Sequence, residues 1–182
     1  MTRYVAFLRA INVGGHVVKM EVLRALFESM KLRKVETFIA SGNVIFETSS
    51  QDVAAIREKI EKSLHKALGY EVVTFLRTDR EVADIARYTP FPDSDLVSAL
   101  TFCVGFLAAP PPAEAAQRVL SLKGEMNDFH FHGSELYWLG RQKQSELTFT
   151  NAVFEKAAGV RATFRGMNTI RKLAAKYPAS LL

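Results

Sequence analysis

Thr89-Pro-Phe-Pro-Asp-Ser-Asp95 is the stretch that divides this chain. Neither Pro90 nor Pro92 fits a helix interior or a central strand, and Asp93, Ser94 and Asp95 favour turns. The segment reads as a linker, so each side can be read for its own order of elements.

On the N-terminal side, residues 4–8 form the near-continuous apolar run of a central strand, and Met20, Leu23, Leu26, Phe27 and Met30 recur at helical spacing. Residues 35–40 and 44–46 are β-rich runs split by Ser41-Gly-Asn43, which predicts a hairpin. Val53, Ile56, Ile60, Leu64 and Ala67 make a second helical stripe that stops at Gly69, a residue suited to a helix C-cap. Residues 72–76 then read as a strand, and Thr78 with Glu81 forms a capping box for a helix containing Val82 and Ile85. The order is βαββαβ followed by a helix.

Beyond the break the same order returns: strand 100–107, helix 113–121, strands 128–132 and 136–139 around Gly133-Ser134, helix 151–158, strand 162–165 and a last helix to about Tyr177. Arg77-Thr-Asp-Arg-Glu-Val-Ala-Asp-Ile-Ala86 and Arg165-Gly-Met-Asn-Thr-Ile-Arg-Lys-Leu-Ala174 share an Arg, two aliphatic positions and an Ala at one spacing, at the same place in both halves. The expected fold class is α+β: two tandem ferredoxin-like units, 1–90 and 96–182, each an antiparallel sheet with helices on one face.

Hydrophobic residues make up 48% of the chain and charged residues 24%, the balance of a globular protein with a packed core. No apolar run reaches the roughly 20 residues of a membrane span, and the first residues are charged too soon for a signal peptide, so a cytoplasmic protein without membrane contact is expected. The lone Cys103 lies in an apolar run and reads as a buried thiol.

The net charge of +5 is segregated. Residues 1–42 carry seven Lys/Arg against three acids, residues 43–140 nine against fourteen and residues 141–182 eight against two, or +4, −5 and +6. If the chain ends meet, they present a basic face that attracts anions; scattering of these charges by the fold is the alternative.

The loop after the first strand holds Arg9, Asn12 and the pair Gly14-Gly15, and leads into a helix whose first turn lacks a good capping side chain. Glycines there permit positive φ and close backbone approach, and uncapped N–H groups can hold a phosphate or carboxylate. The spacing matches neither a Walker loop nor a dinucleotide fingerprint, and a turn needed only for chain reversal is the plainer reading. Ser41, Gly42 and Asn43 join the candidate set if the strand ends converge, although a simple turn explains them too. Arg165 leaves a strand in a segment poor in acids and is the residue suited to a bidentate anion contact; Asn168 follows it, either as a ligand or as the start of a helix. His130 and His132 share a strand face, but no third metal ligand is evident and no metal site is assigned. Nucleophile-elbow and His-Glu-x-x-His patterns are absent, and catalytic residues and cofactors stay unassigned.

Four motifs in order, Leu8-Arg-Ala-Ile-Asn-Val-Gly-Gly15, Ser41-Gly-Asn-Val-Ile-Phe46, Leu147-Thr-Phe-Thr-Asn-Ala-Val-Phe-Glu-Lys156 and Ala162-Thr-Phe-Arg-Gly-Met-Asn-Thr-Ile-Arg-Lys-Leu173, give the chain its family likeness. It resembles the bacterial family known as domain of unknown function 1697, over essentially its full length. Where that family usually reads Thr-x-Arg-Asn-Trp-Asn-Thr, Gly166 and Met167 replace Asn and Trp. The resemblance implies no substrate, cofactor or catalytic residue.

Three functions are compatible with these features. The first is a binding module for a small phosphorylated or nucleotide-like ligand, and the second a transferase or hydrolase acting on such a ligand by positioning and charge stabilisation. RNA binding on four-stranded sheets ranks third, because the aromatic RNA-recognition signature is missing and specific nucleic-acid binding is not expected.

Overall fold

A computed structural model of the chain describes residues 1–12, 14–39 and 42–179. Two compact units emerge: residues 1–85 together with the segment from Leu173 onward, and residues Ala86–Lys172. Each contains one four-stranded, wholly antiparallel sheet, and seven α-helices occur among the described residues.

The first unit runs β1 (Thr2–Leu8), α1 (Met20–Ser29), β2 (Arg33–Thr37), β3 (Asn43–Thr48), α2 (Val53–Leu68), β4 (Thr74–Thr78) and into α3 (Asp79–Arg87). Its strand order is β2-β3-β1-β4, with Phe7 of β1 opposite Asn43 on one side and Phe75 on the other. Ala6, Leu8 and Phe46 on one face pack with Leu23 and Phe27 of α1 and Ile60 and Leu64 of α2 in a single core. Burying each Leu, Ile or Phe side chain of this set contributes roughly 1.5–3 kcal/mol. Val5, Phe7, Ile45 and Phe75 on the opposite face are buried as well. Burial on both faces explains why β1 lacks the apolar–polar alternation of a half-exposed strand.

Local signals end the helices where the sequence predicts. Gly69 closes α2 at φ 81°, its N–H donating to the His65 carbonyl at 2.8 Å, and Asp52 caps the other end by accepting from Ala55 N at 3.0 Å. The capping box forms: Thr78 N donates to the Glu81 carboxylate at 2.7 Å while Glu81 N donates to Thr78 Oγ1 at 3.2 Å.

The second unit begins with the end of α3 and α4 (Asp93–Ser98), then β5 (Thr101–Phe106), α5 (Ala113–Leu120), β6 (Asn127–His132), β7 (Glu135–Gly140), a 3-10 turn at Gln144–Glu146, α6 (Asn151–Ala158), β8 (Thr163–Gly166) and the first part of α7 (Met167–Lys176). The strand order is β6-β7-β5-β8. Its core is aromatic, with Trp138 against Phe149 at 4.8 Å and Phe154 against Phe164 at 5.6 Å between ring centroids.

Helix α4 corrects the reading of residues 89–95 as a segment without helix. Pro92 sits just before the helix, where its missing N–H costs nothing, and its carbonyl accepts from Asp95 N and Leu96 N at 3.0 and 3.1 Å. Asp93 and Asp95 then favour the positive end of the helix dipole. No helix among the described residues is long and apolar enough to cross a membrane.

Candidate functional site

In the first unit, β1 ends in a loop that is pinned at several points. Leu8 N donates to the Gly42 carbonyl and Arg9 N to the Val73 carbonyl, both at 2.9 Å. Tyr70 Oη donates to the Ile11 carbonyl at 2.9 Å, and Asn12 Oδ1 accepts from Val18 N at 2.8 Å, closing the loop across its neck. Between these ties Gly14 and Gly15 are exposed, at φ 67° and 86°. A Cβ added at either would meet nothing within 4 Å, so backbone conformation alone calls for glycine there. His16 stacks on Tyr70, ring centroids 3.9 Å apart.

The loop delivers α1 with Lys19 at its N-cap and no side-chain cap, leaving its first N–H groups open to solvent or ligand. Lys19 is exposed and ion-paired with no carboxylate among the described residues; Glu21 supplies a carboxylate to the first turn.

The β2–β3 connection packs against this loop. Gly42 adopts φ 79°, and a Cβ there would lie 2.7 Å from Ile11 Cγ2 and 3.2 Å from Leu8 Cβ. Gly42 is thus required twice over, by conformation and by space. Asn43 is fully buried, and its Nδ2 donates to the Phe38 carbonyl at 2.9 Å while Phe38 N donates to the Asn43 carbonyl at 3.0 Å. Asn43 therefore staples the hairpin from inside. Ser41 lies outside the described residues.

Of the four non-glycine residues at positive φ among the described residues, Ala10 and Ile39 lie in these two loops, while Lys31 and Lys34 lie at the α1–β2 connection and in β2. Ala10 and Ile39 both have φ 57°, a conformation that a β-branched residue such as Ile39 adopts at a cost of order 1–3 kcal/mol. Exposed Ile39 gains no deep packing in return.

Arg165 and Asn168 belong to the second unit. Arg165 is buried, Nη1 donates to Thr163 Oγ1 at 2.8 Å and to the Phe164 carbonyl at 2.9 Å, and desolvation pulls its guanidinium down to about 10. Asn168 is exposed in the first turn of α7. Met167 is buried at 1% exposure and fills a core position, whereas a Cβ at Gly166 would meet nothing within 4 Å.

The strand histidines and the lone cysteine have close neighbours of their own. Tyr88 engages both strand histidines, its Oη 3.0 Å from His130 Nε2 and its ring stacked on His132 at 4.1 Å. Burial pushes the Cys103 thiol up to about 12. Sequence reading missed the part of Tyr70, whose tie to Ile11 spans 59 positions and leaves no local signal.

A family model described as a protein of unknown function (DUF1697) matches residues 1–137, so the motifs at 147–156 and 162–173 lie beyond the matched span. No curated protein matches the sequence. Among solved structures, a conserved bacterial protein from Streptococcus pneumoniae aligns over 97% of this chain and 98% of its own with a TM-score of 0.70. At 22% identity that likeness concerns the fold alone.

Proposed function

We propose, for a chain that belongs to the family of proteins of unknown function DUF1697, the role of a binding module for a small anionic ligand, phosphorylated or nucleotide-like, taken up by the glycine loop of the first unit. The observation that carries this reading is a pinned loop with exposed glycines at positive φ, Gly14 and Gly15, beside two non-glycine residues held at positive φ, Ala10 and Ile39, in two segments joined through Leu8 and Gly42. The conformations of Ala10 and Ile39 carry a cost, and such residues are enriched where ligands are held. Arg9 and Lys19 would supply charge, Gly14, Gly15 and the start of α1 backbone donors, and Asn12, Gly42 and Asn43 the shape of the loop. The stacked His16–Tyr70 pair offers an aromatic surface for a base.

The test is titration of isotope-labelled protein with inorganic phosphate, pyrophosphate and a nucleoside monophosphate. Shifts confined to the amides of residues 9–21, weakened by Lys19→Ala and strengthened by Glu21→Gln, are expected. If none of the three anions moves those amides, the loop is not an anion site; turnover of the nucleotide would favour a transferase or hydrolase at the same loop.

The architecture is read in the same spirit, each half as a ferredoxin-like βαββαβ unit and the chain as their tandem duplication over 1–90 and 96–182. Supporting this are the matching strand orders and the hydrogen bond from Leu8 N to the Gly42 carbonyl, repeated by Leu107 N to the Ser134 carbonyl, both at 2.9 Å. An experimental structure whose halves fail to superpose strand for strand would refute it.

A further inference from the structure

A cavity of about 240 Å³ in the second unit has no part in the function just proposed. Its floor and walls come from Leu96 in α4, Leu100, Phe102 in β5, and Met167, Asn168 and Arg171 in the first two turns of α7. Asn168 and Arg171 stand one helical turn apart and so share a face. The Arg171 guanidinium lies over the Phe102 ring, 5.8 Å from its centroid, and Phe102 is itself braced edge-on by Phe91 at 6.0 Å.

Two features make this more than a surface dent. Arg171 has no carboxylate within ion-pair distance among the described residues, and the Asn168 amide makes no hydrogen bond among them, so a cation and a polar amide face one cavity with their donors uncommitted. Beside them Leu100 is 64% exposed and supplies an apolar wall on the same side of the strand as Phe102.

We infer that this cavity binds a small monocarboxylate with a short hydrophobic body. One guanidinium balances one negative charge, and its planar fork matches the two oxygens of a carboxylate, with the Asn168 amide as a further donor. Leu96, Leu100 and Phe102 shelter the aliphatic or aromatic remainder. The volume falls below the roughly 300 Å³ at which drug-sized pockets begin, which suits a short acid better than a nucleotide. Arg171 stacked on Phe102 is pre-oriented, so less side-chain freedom is lost on binding.

The experiment titrates the full chain with benzoate and butyrate, using benzyl alcohol as the neutral isostere and inorganic phosphate as the competing anion, followed by amide and side-chain shifts of residues 96–102 and 167–171. Benzoate or butyrate should saturate the cavity while benzyl alcohol and phosphate do not. Arg171→Met should weaken that binding at least about tenfold, the loss of one charge-assisted contact, while Arg171→Lys recovers part of it. Melting curves of both variants should match the wild type, because Arg171 is exposed. The inference fails if neither acid saturates by about 10 mM, if Arg171→Met binds as well as wild type, or if phosphate displaces the acids. These readouts lie outside residues 9–21, so either proposal can fall without the other.

Discussion

Arg77 and Arg165 occupy the same place in the two sheets: each is the penultimate residue of its last strand, opposite Val5 and Val104 on the central strand, and each donates Nη1 to the carbonyl of the residue before it, Leu76 and Phe164. Both are buried at 8% exposure. Arg165 is therefore held by its own strand, and its twin position argues that the guanidinium shapes the strand end. Arg77→Ala and Arg165→Ala should each lower stability by about 1.5–3 kcal/mol, the range for hydrogen bonds from a charged donor. Urea denaturation measures it; a variant as stable as wild type would return Arg165 to the ligand set.

Gly42 and Gly14 separate two reasons for glycine. Gly14→Ala should cost about 1 kcal/mol, since only its positive φ opposes a side chain. Gly42→Ala adds a clash with Ile11 and Leu8 and should cost about 3 kcal/mol. Thermal melts that rank the two variants in the opposite order would contradict the loop packing described above.

Asn43→Ala removes a fully buried amide and the bond to the Phe38 carbonyl. A loss of about 1–3 kcal/mol is expected, with faster amide exchange at Phe38, whose N–H pairs with the Asn43 carbonyl. Unchanged exchange at Phe38 would mean that the hairpin does not depend on this staple.

Tyr177, just after α7 and within the first unit, donates to Glu36 of β2 at 2.6 Å, and that hydrogen bond holds the Glu36 carboxyl below its ordinary value, with Lys176 assisting. A depressed carboxylate contributes stability above its unfolded pKa and loses it as pH falls through the folded value. Glu36 is half exposed, so Tyr177→Phe should cost about 1 kcal/mol or less near neutrality. The gap between wild type and variant should close in acid, which urea titrations at a series of pH values can read.

Cys103 should resist a thiol reagent such as dithionitrobenzoate at pH 8 in the folded protein and react at once in urea, because its thiol is buried and pushed up to about 12. The sign of the linkage follows: the unfolded thiol ionises near its ordinary value while the folded one stays neutral, so stability is complete below that pH and declines as pH rises toward 12. Rapid labelling of the native chain would mean that β5 opens readily.

By itself the sequence determined most of the elements and their order, because the signals are local. Stripes such as Leu23–Phe27, the Thr78–Glu81 box and the αL cap at Gly69 act within one or two helical turns, and all appear as read. Helix α4 escaped because a proline cluster looks like a break unless Pro92 is recognised as the residue before a helix. What only the tertiary structure decided is which polar residues are spent on the fold. Asn43 and Arg165 look like ligand readers in one dimension, but the sheet buries both, with Asn43 Nδ2 donating to the Phe38 carbonyl and Arg165 Nη1 to Thr163 Oγ1 and the Phe164 carbonyl. Asn12 is similarly engaged by Val18 N across its loop. Arg171 and Asn168, by contrast, reach a cavity only because α7 is laid beside β5 and α4, a juxtaposition of residues some 70 positions apart that no local periodicity encodes.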